Sequence, residues 1–150
     1  MKEIYYVYNN EAIATCVLLS IINKVEKIDI ARCCLLLPFF LDDKMVSFLK
    51  NNFSQDQSLE NMVNGQQGLF AAFNKKYLSL LPVMINSIMI LKKSELIRIE
   101  NKIVSMHQLD ITHLDLGNRF SKIRAVMPSF LELTNNYPTE QLYKLLRVQL

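Results

Sequence analysis

The chain has 150 residues, 51% of them hydrophobic, with only three glycines and four prolines, which suits one domain with a substantial core and excludes linkers, low-complexity tracts and a disordered chain. The net charge of +3 is uneven, since residues 1–64 carry 6 basic and 8 acidic side chains and residues 65–150 carry 11 and 6. The basic part could meet phosphate or an acidic partner, or could simply be a solvated surface.

In chain order, residues 4–8 read Ile-Tyr-Tyr-Val-Tyr, a β-branched and aromatic run that suits an extended segment. Asn9 or Asn10 then caps a helix to about Lys24, with Ile13, Cys16, Val17, Ser20 and Ile21 at helical spacing and Ala12, Leu18, Leu19 and Ile22 widening the stripe. Residues 28–44 contain the organising stretch of the chain. Cys33 to Leu41 is apolar throughout, so a helix there is greasy on every side and must be surrounded by protein. It falls short of the roughly 18–20 residues that span a bilayer and is fenced by Arg32 and by Asp42-Asp43-Lys44. Pro38 should kink or end it, with a restart near Asp42, where the two carboxylates cap free amides.

Met45, Phe48 and Leu49 continue an amphipathic turn to Asn51-Asn52, and residues 54–58 form a polar connection. A short helix through Leu59, Met62 and Val63 should close on a left-handed Gly65, with a new helix after Gly68. That helix carries Leu69, Phe70, Phe73, Tyr77, Leu80 and Leu81 and should kink or be interrupted at Pro82 before a further apolar run of Met84, Ile85, Ile88, Met89 and Leu91. Residues 96–106 then change period to two around Glu100-Asn101, the signature of a β-hairpin with Ile97, Ile99, Ile103 and Ser105 on one face. Residues 111–117 are irregular. A helix from Asn118 to Thr134 buries Phe120, Ile123, Met127, Phe130 and Leu131, bends at Pro128, and breaks at Asn135-Asn136-Tyr137. Pro138 opens a last helix that docks through Leu142, Leu145, Leu146 and Leu150. The expected fold is mainly α (α+β), a compact multi-helix domain with one β-hairpin. A short helix, a glycine-containing turn, a longer helix and a hairpin make it winged-helix-like; the alternative is a hairpin that covers one end of a helical core.

Catalytic constellations are scarce. Gly65, Gly68 and Gly117 cannot build a glycine-rich phosphate loop, and no nucleophile sits in a recognisable motif. His107 and His113 flank Asp110 and Asp115, but their spacing matches no helical metal motif, and a surface loop is the plainer reading. Cys16, Cys33 and Cys34 are an odd number of thiols in apolar segments, which disfavours a disulfide framework and, with no basic-then-apolar leader, suits a reducing cytoplasm. The expectation is a protein that is not an enzyme and holds no cofactor and no metal. Lys75, Lys76, Arg98, Lys102, Arg119, Lys122 and Arg124 are the candidate contacts for the DNA backbone or for a partner, because lysine and arginine on one face bind phosphate without reading sequence.

The chain also resembles the small middle component of bacterial three-component ABC systems, the group that includes the Lamassu type of anti-phage and anti-plasmid defence. The resemblance is carried by Tyr8-Asn9-Asn10-Glu11-Ala12, by Leu35-Leu36-Leu37-Pro38-Phe39-Phe40-Leu41 with Asp42-Asp43-Lys44, by the 96–104 hairpin, by Lys122-Ile123, and by Leu142-Tyr143-Lys144-Leu145-Leu146-Arg147-Val148. It implies a non-catalytic subunit working with an SMC-type coiled-coil ATPase and an effector, frequently a nuclease, with double-stranded DNA as a further partner of the complex and no membrane. A free-standing winged-helix regulator that binds an operator as a dimer is the alternative. It would need an exposed polar face on the helix before the hairpin.

Overall fold

The computed structural model describes the backbone of residues 2–52 and 58–148 and the side chains of residues 11–51 and 58–148. Within these, eight helices and three strands follow one another: α1 (Lys2–Val25), β1 (Lys27–Asp29), α2 (Ile30–Leu41), α3 (Asp43–Asn52), α4 (Leu59–Gly65), α5 (Gln67–Ala71), α6 (Phe73–Lys93), β2 (Ile97–Glu100), β3 (Lys102–Ser105), α7 (Asn118–Asn135) and α8 (Thr139–Leu145). The mainly helical α+β character follows from the sequence as expected.

The centre is α2. Every residue from Cys33 to Leu41 is buried, and α1, α3, α6, α7 and α8 all pack against the helix. A helix apolar on all sides has no other stable place, because any exposed side would leave aliphatic and aromatic surface in water. Pro38 lies inside α2 and does not end it; the break comes at Asp42, and α3 starts at Asp43. Phe39 is the hub of an aromatic cluster, with ring centroids 4.3 Å from Phe73, 4.8 Å from Phe130 and 6.1 Å from Phe70. Phe40 meets Phe130 edge-on at 5.6 Å.

The expected strand at residues 4–8 is part of α1 instead. Strand propensity is realised only against a partner strand, and these residues pair with none of the three strands and continue into a strongly helical segment. The side chains of Tyr5, Tyr6 and Tyr8 lie outside the described residues. Among the described side chains of α1, Ala14, Val17, Leu18, Leu19, Ile21 and Ile22 form the buried stripe, and the helix packs along α6.

The hairpin forms where the period changes, with Asn101 in the left-handed region at its tip (φ 57°). Ile97 opposes Ser105 and Ile99 opposes Ile103, so the four share one face, as alternation requires. A third strand was not foreseen. Ile28 and Asp29, the first residues of the organising stretch, belong to β1, which pairs antiparallel with β3 to give the order β1-β3-β2. Three residues are too few to show a period, and their partner lies far along the chain. Glu26 (φ 63°) makes the turn from α1, and its carbonyl accepts the Ser105 amide at 2.8 Å.

Two further expectations change. Gly65 is the last residue of α4 and takes no left-handed conformation; Gln66 caps that helix, and Ser58 accepts the Asn61 amide at the other end. The helix expected after Gly68 is two pieces, α5 and α6, separated at Ala72, and α6 runs through Pro82 to Lys93 without a break. Pro82 and Pro128 are both exposed, so each ring sits on the water side of its helix. The apolar face expected of α7 is buried in full. Residues 54–57 of the polar connection, and Leu150 of the last stripe, lie outside the described residues.

Tertiary hydrogen bonds pin the last helix. Tyr143 donates to the Ala31 carbonyl at 2.6 Å and lies 3.3 Å from the Tyr77 hydroxyl, which ties α8 to α2 and α6. Arg32 spans more: its Nε donates to Thr139 Oγ1 and one terminal nitrogen to the Thr134 carbonyl, each at 3.0 Å, while the other donates to the Tyr137 carbonyl.

Burial raises the pKa of Cys33 and Cys34. Burial, with the Tyr77 hydroxyl, also raises that of Tyr143. The unfolded chain therefore loses these protons first, thiols from about pH 8.5 and the phenol from about pH 10. The stability they contribute is full below those values and falls as pH rises above them. Cys33 alone should add a slope of about 1.4 kcal/mol per pH unit over its window. Urea unfolding at pH 7, 9 and 10.5 should show a falling midpoint, with a shallower fall in Cys33→Ala. A midpoint independent of pH over that range would contradict the assignment.

Candidate functional site

The seven candidate cations lie in three places. Lys75 and Lys76 sit in the first turn of α6, Arg98 and Lys102 lie on the hairpin beyond its other end, and Arg119, Lys122 and Arg124 lie on α7. The α6 pair and the hairpin are separated by almost the full length of that helix, roughly 30 Å at about 1.5 Å per residue. The fold does not gather the seven on one face.

Their local chemistry differs as well. Lys76 Nζ is 2.8 Å from Oδ1 of Asp42, which is 6% exposed and also accepts the Lys44 amide at the start of α3. The acid thus caps a helix and holds a lysine, and burial with two partners suits a carboxylate that would be costly unpaired. Arg119 donates to Asp43 at 3.0 Å and to the Leu41 carbonyl at 2.9 Å, closing the α2–α3 corner against α7. Arg124 donates to the carbonyls of Thr112 and Ile111 at 2.9 and 3.1 Å and stacks over Phe120 at 4.8 Å. It acts as a clamp on the irregular segment that precedes α7.

On the hairpin, Arg98 and Lys102 share the face opposite the isoleucines, but so do Glu100 and Asp29. Arg98 is 3.5 Å from Glu100 and Lys102 is 3.5 Å from Asp29. Lys27 opposes Val104 on the same side, so this face carries three cations against two carboxylates. Exposed pairs of this kind hold little energy and exchange partners readily. Lys75 and Lys122 are in no ion pair among the described residues. Lys122 lines a shallow concavity with Val46, Ser47 and Ile123 beside the Asp43–Arg119 pair.

The loop with His107 and His113 uses its acids locally. Asp110 accepts both the amide and the hydroxyl of Thr112, at 2.9 and 2.6 Å, which holds its carboxyl below the usual range, and Asp115 accepts the Gly117 amide at 3.0 Å. Such local turns leave fewer lone pairs for a ligand. Among the described residues no three histidine, cysteine or acidic side chains are grouped to hold a metal ion. No helix among the described residues is long and apolar enough to cross a membrane.

One surface escaped the sequence reading. Ile85 and Met89, placed in a further apolar run of the interrupted helix, face outward on α6 with Leu78, while Met84, Ile88 and Leu91 are buried. The signal was present in the spacing: Leu78, Pro82, Ile85 and Met89 recur at four, three and four residues. Neighbouring elements bury the opposite face, and a helix apolar on both sides does not declare in its sequence which side is inner.

A family model described as ABC-three component (ABC-3C) system Middle Component 3 matches residues 1–148. No curated protein and no solved structure matches the chain.

Proposed function

The chain belongs to the middle component 3 family of ABC-three component systems, and from that premise we propose that it is a non-catalytic assembly subunit of a bacterial defence complex of the Lamassu kind. As a middle component it works with the other components of a three-component system. On the proposed reading those are an SMC-type coiled-coil ATPase, which senses foreign or abnormal DNA, and an effector nuclease, and this subunit bridges or regulates the two in the cytoplasm. The observation that carries the reading is the family match over residues 1–148. It is supported by the use of Arg119, Arg124 and Lys76 inside the fold, which suits a scaffold rather than a reaction centre.

Expression with the neighbouring genes should give stoichiometric copurification with an ATPase of that class. Absence of any such association would end the proposal. Within the complex, Arg98, Lys102 and Lys122 are the proposed phosphate contacts, so reversing their charge should weaken binding to random-sequence duplex and flatten its salt dependence while assembly persists.

The winged-helix-like order of α6 and the hairpin favours one other reading, a free-standing operator-binding regulator. The outward face of α6, the helix such a protein would place in the major groove, presents Leu78, Ile85 and Met89. These side chains cannot hydrogen-bond to base edges. Specific binding of the isolated chain to a palindromic duplex would favour the regulator.

A further inference from the structure

We propose that the outward face of α6 is a docking seam for an amphipathic helix of another protein, apolar along its middle and acidic at both ends; the proposal rests on the assembly reading for the setting in which that helix is met. Leu78, Ile85 and Met89 are 52%, 50% and 38% exposed, with Pro82 exposed between them. At about 100° per residue these four fall within an arc of roughly 60° on the side of α6 away from Phe73, Tyr77, Met84 and Leu91, which are buried. Their 4-3-4 spacing is that of a helix-pairing seam, in which apolar side chains of one helix enter the gaps between those of another. The apolar part is about 16 Å long, three helical turns.

The ends of the seam identify the occupant. Stepping three residues outward along the same row reaches Lys75 at one end and Lys92 at the other. Both are exposed and neither is in an ion pair among the described residues. The whole of α6 contains four lysines and no acid. A second copy of this chain is a poor match: antiparallel two-fold pairing sets Lys75 against Lys92 of the copy, and parallel pairing sets each lysine against its own counterpart. Either way like charges meet at both ends. A helix with leucine-type residues at heptad spacing and glutamate or aspartate at each end satisfies both the apolar middle and the charged ends.

Two measurements test this. The full chain is titrated with a synthetic helical peptide carrying leucines at 4-3-4 spacing and glutamates at both ends, and with the same peptide ended by lysines. The glutamate-ended peptide should bind about tenfold more tightly or better, with the preference shrinking as salt is raised. The double variant Leu78→Asp, Ile85→Asp should lose this binding while remaining cooperatively folded, with a thermal midpoint lowered by only a few degrees, because both side chains are about half exposed and aspartate is a weaker helix former. Equal affinity for the two peptides, or undiminished binding by the variant, overturns the seam. So does self-association of the wild-type chain that the variant abolishes, which would assign the face to a second copy. In parallel, the variant is coexpressed with the other system components. Assembly retained by the variant overturns the seam and leaves the assembly reading standing, whereas a wild-type chain that never assembles but still selects the glutamate-ended peptide sinks the assembly reading and keeps the seam.

Discussion

Phe39→Ala should lower the stability of the folded chain by about 3–5 kcal/mol, which for a chain of this size corresponds to a drop in Tm of roughly 6–20 °C. Phe39 is fully buried on α2 and touches rings from three other elements, Phe70 of α5, Phe73 of α6 and Phe130 of α7. Truncation removes the transfer free energy of the ring and leaves a cavity lined by three aromatic side chains. These are held by separate helices and cannot all close in at once. Phe39→Leu keeps much of the volume and loses mainly the ring–ring terms, so its cost should be about 1–2 kcal/mol. Urea unfolding of the two variants separates these effects. A loss below about 1.5 kcal/mol for the alanine variant would mean that the cluster is not the centre of the core.

Arg32→Ala is the second large effect expected, and it acts by a different route. The guanidinium donates to Thr139, to the Thr134 carbonyl and to the Tyr137 carbonyl, so one side chain at the start of α2 holds the link between α7 and α8. Asp29 receives the hydroxyl of Thr139 at 3.1 Å and lies in the same cluster. Partial burial lowers the arginine's pKa, with Asp29 opposing that shift, but the group stays charged at any ordinary pH. Removing it leaves the Tyr137 carbonyl without this donor and breaks a charge-assisted network, at a cost of about 2 kcal/mol. Arg32→Lys should recover little, since one ammonium cannot reach three acceptors that a planar fork meets. Hydrogen exchange offers the sharper readout: amides of α8 should lose protection in Arg32→Ala before those of α2 do. Uniform loss of protection across both helices would show instead that α8 does not detach as a unit.

Arg119 and Arg124 explain why the candidate site was only half legible. A sequence shows that arginines and lysines are numerous after residue 64, and it shows which helix face each occupies. It does not show that Arg119 will find the Leu41 carbonyl or that Arg124 will find those of Ile111 and Thr112, because these acceptors are backbone atoms without a residue-type signature. Nor does it show that α6 runs unbroken through Pro82, which is what sets Lys75 and the hairpin at opposite ends of one helix. Charge counting therefore located the basic elements and overstated how many of their cations remain at the disposal of a partner.

Features that depend on local period and composition are legible in the chain before any packing is known. Nine consecutive buried positions from Cys33 to Leu41 made α2 the centre, the change to period two made the hairpin, and the buried row on α7 followed from its helical spacing. Tertiary structure alone decided the fate of residues 4–8, which are helical despite their strand-like composition, and of Ile28, whose strand exists only because β3 offers it an edge. It also decided which face of α6 turns outward, since both carry apolar side chains. The reason is the same in each case: periodicity says which residues share a face, whereas burial and strand pairing depend on what the rest of the chain brings against that face.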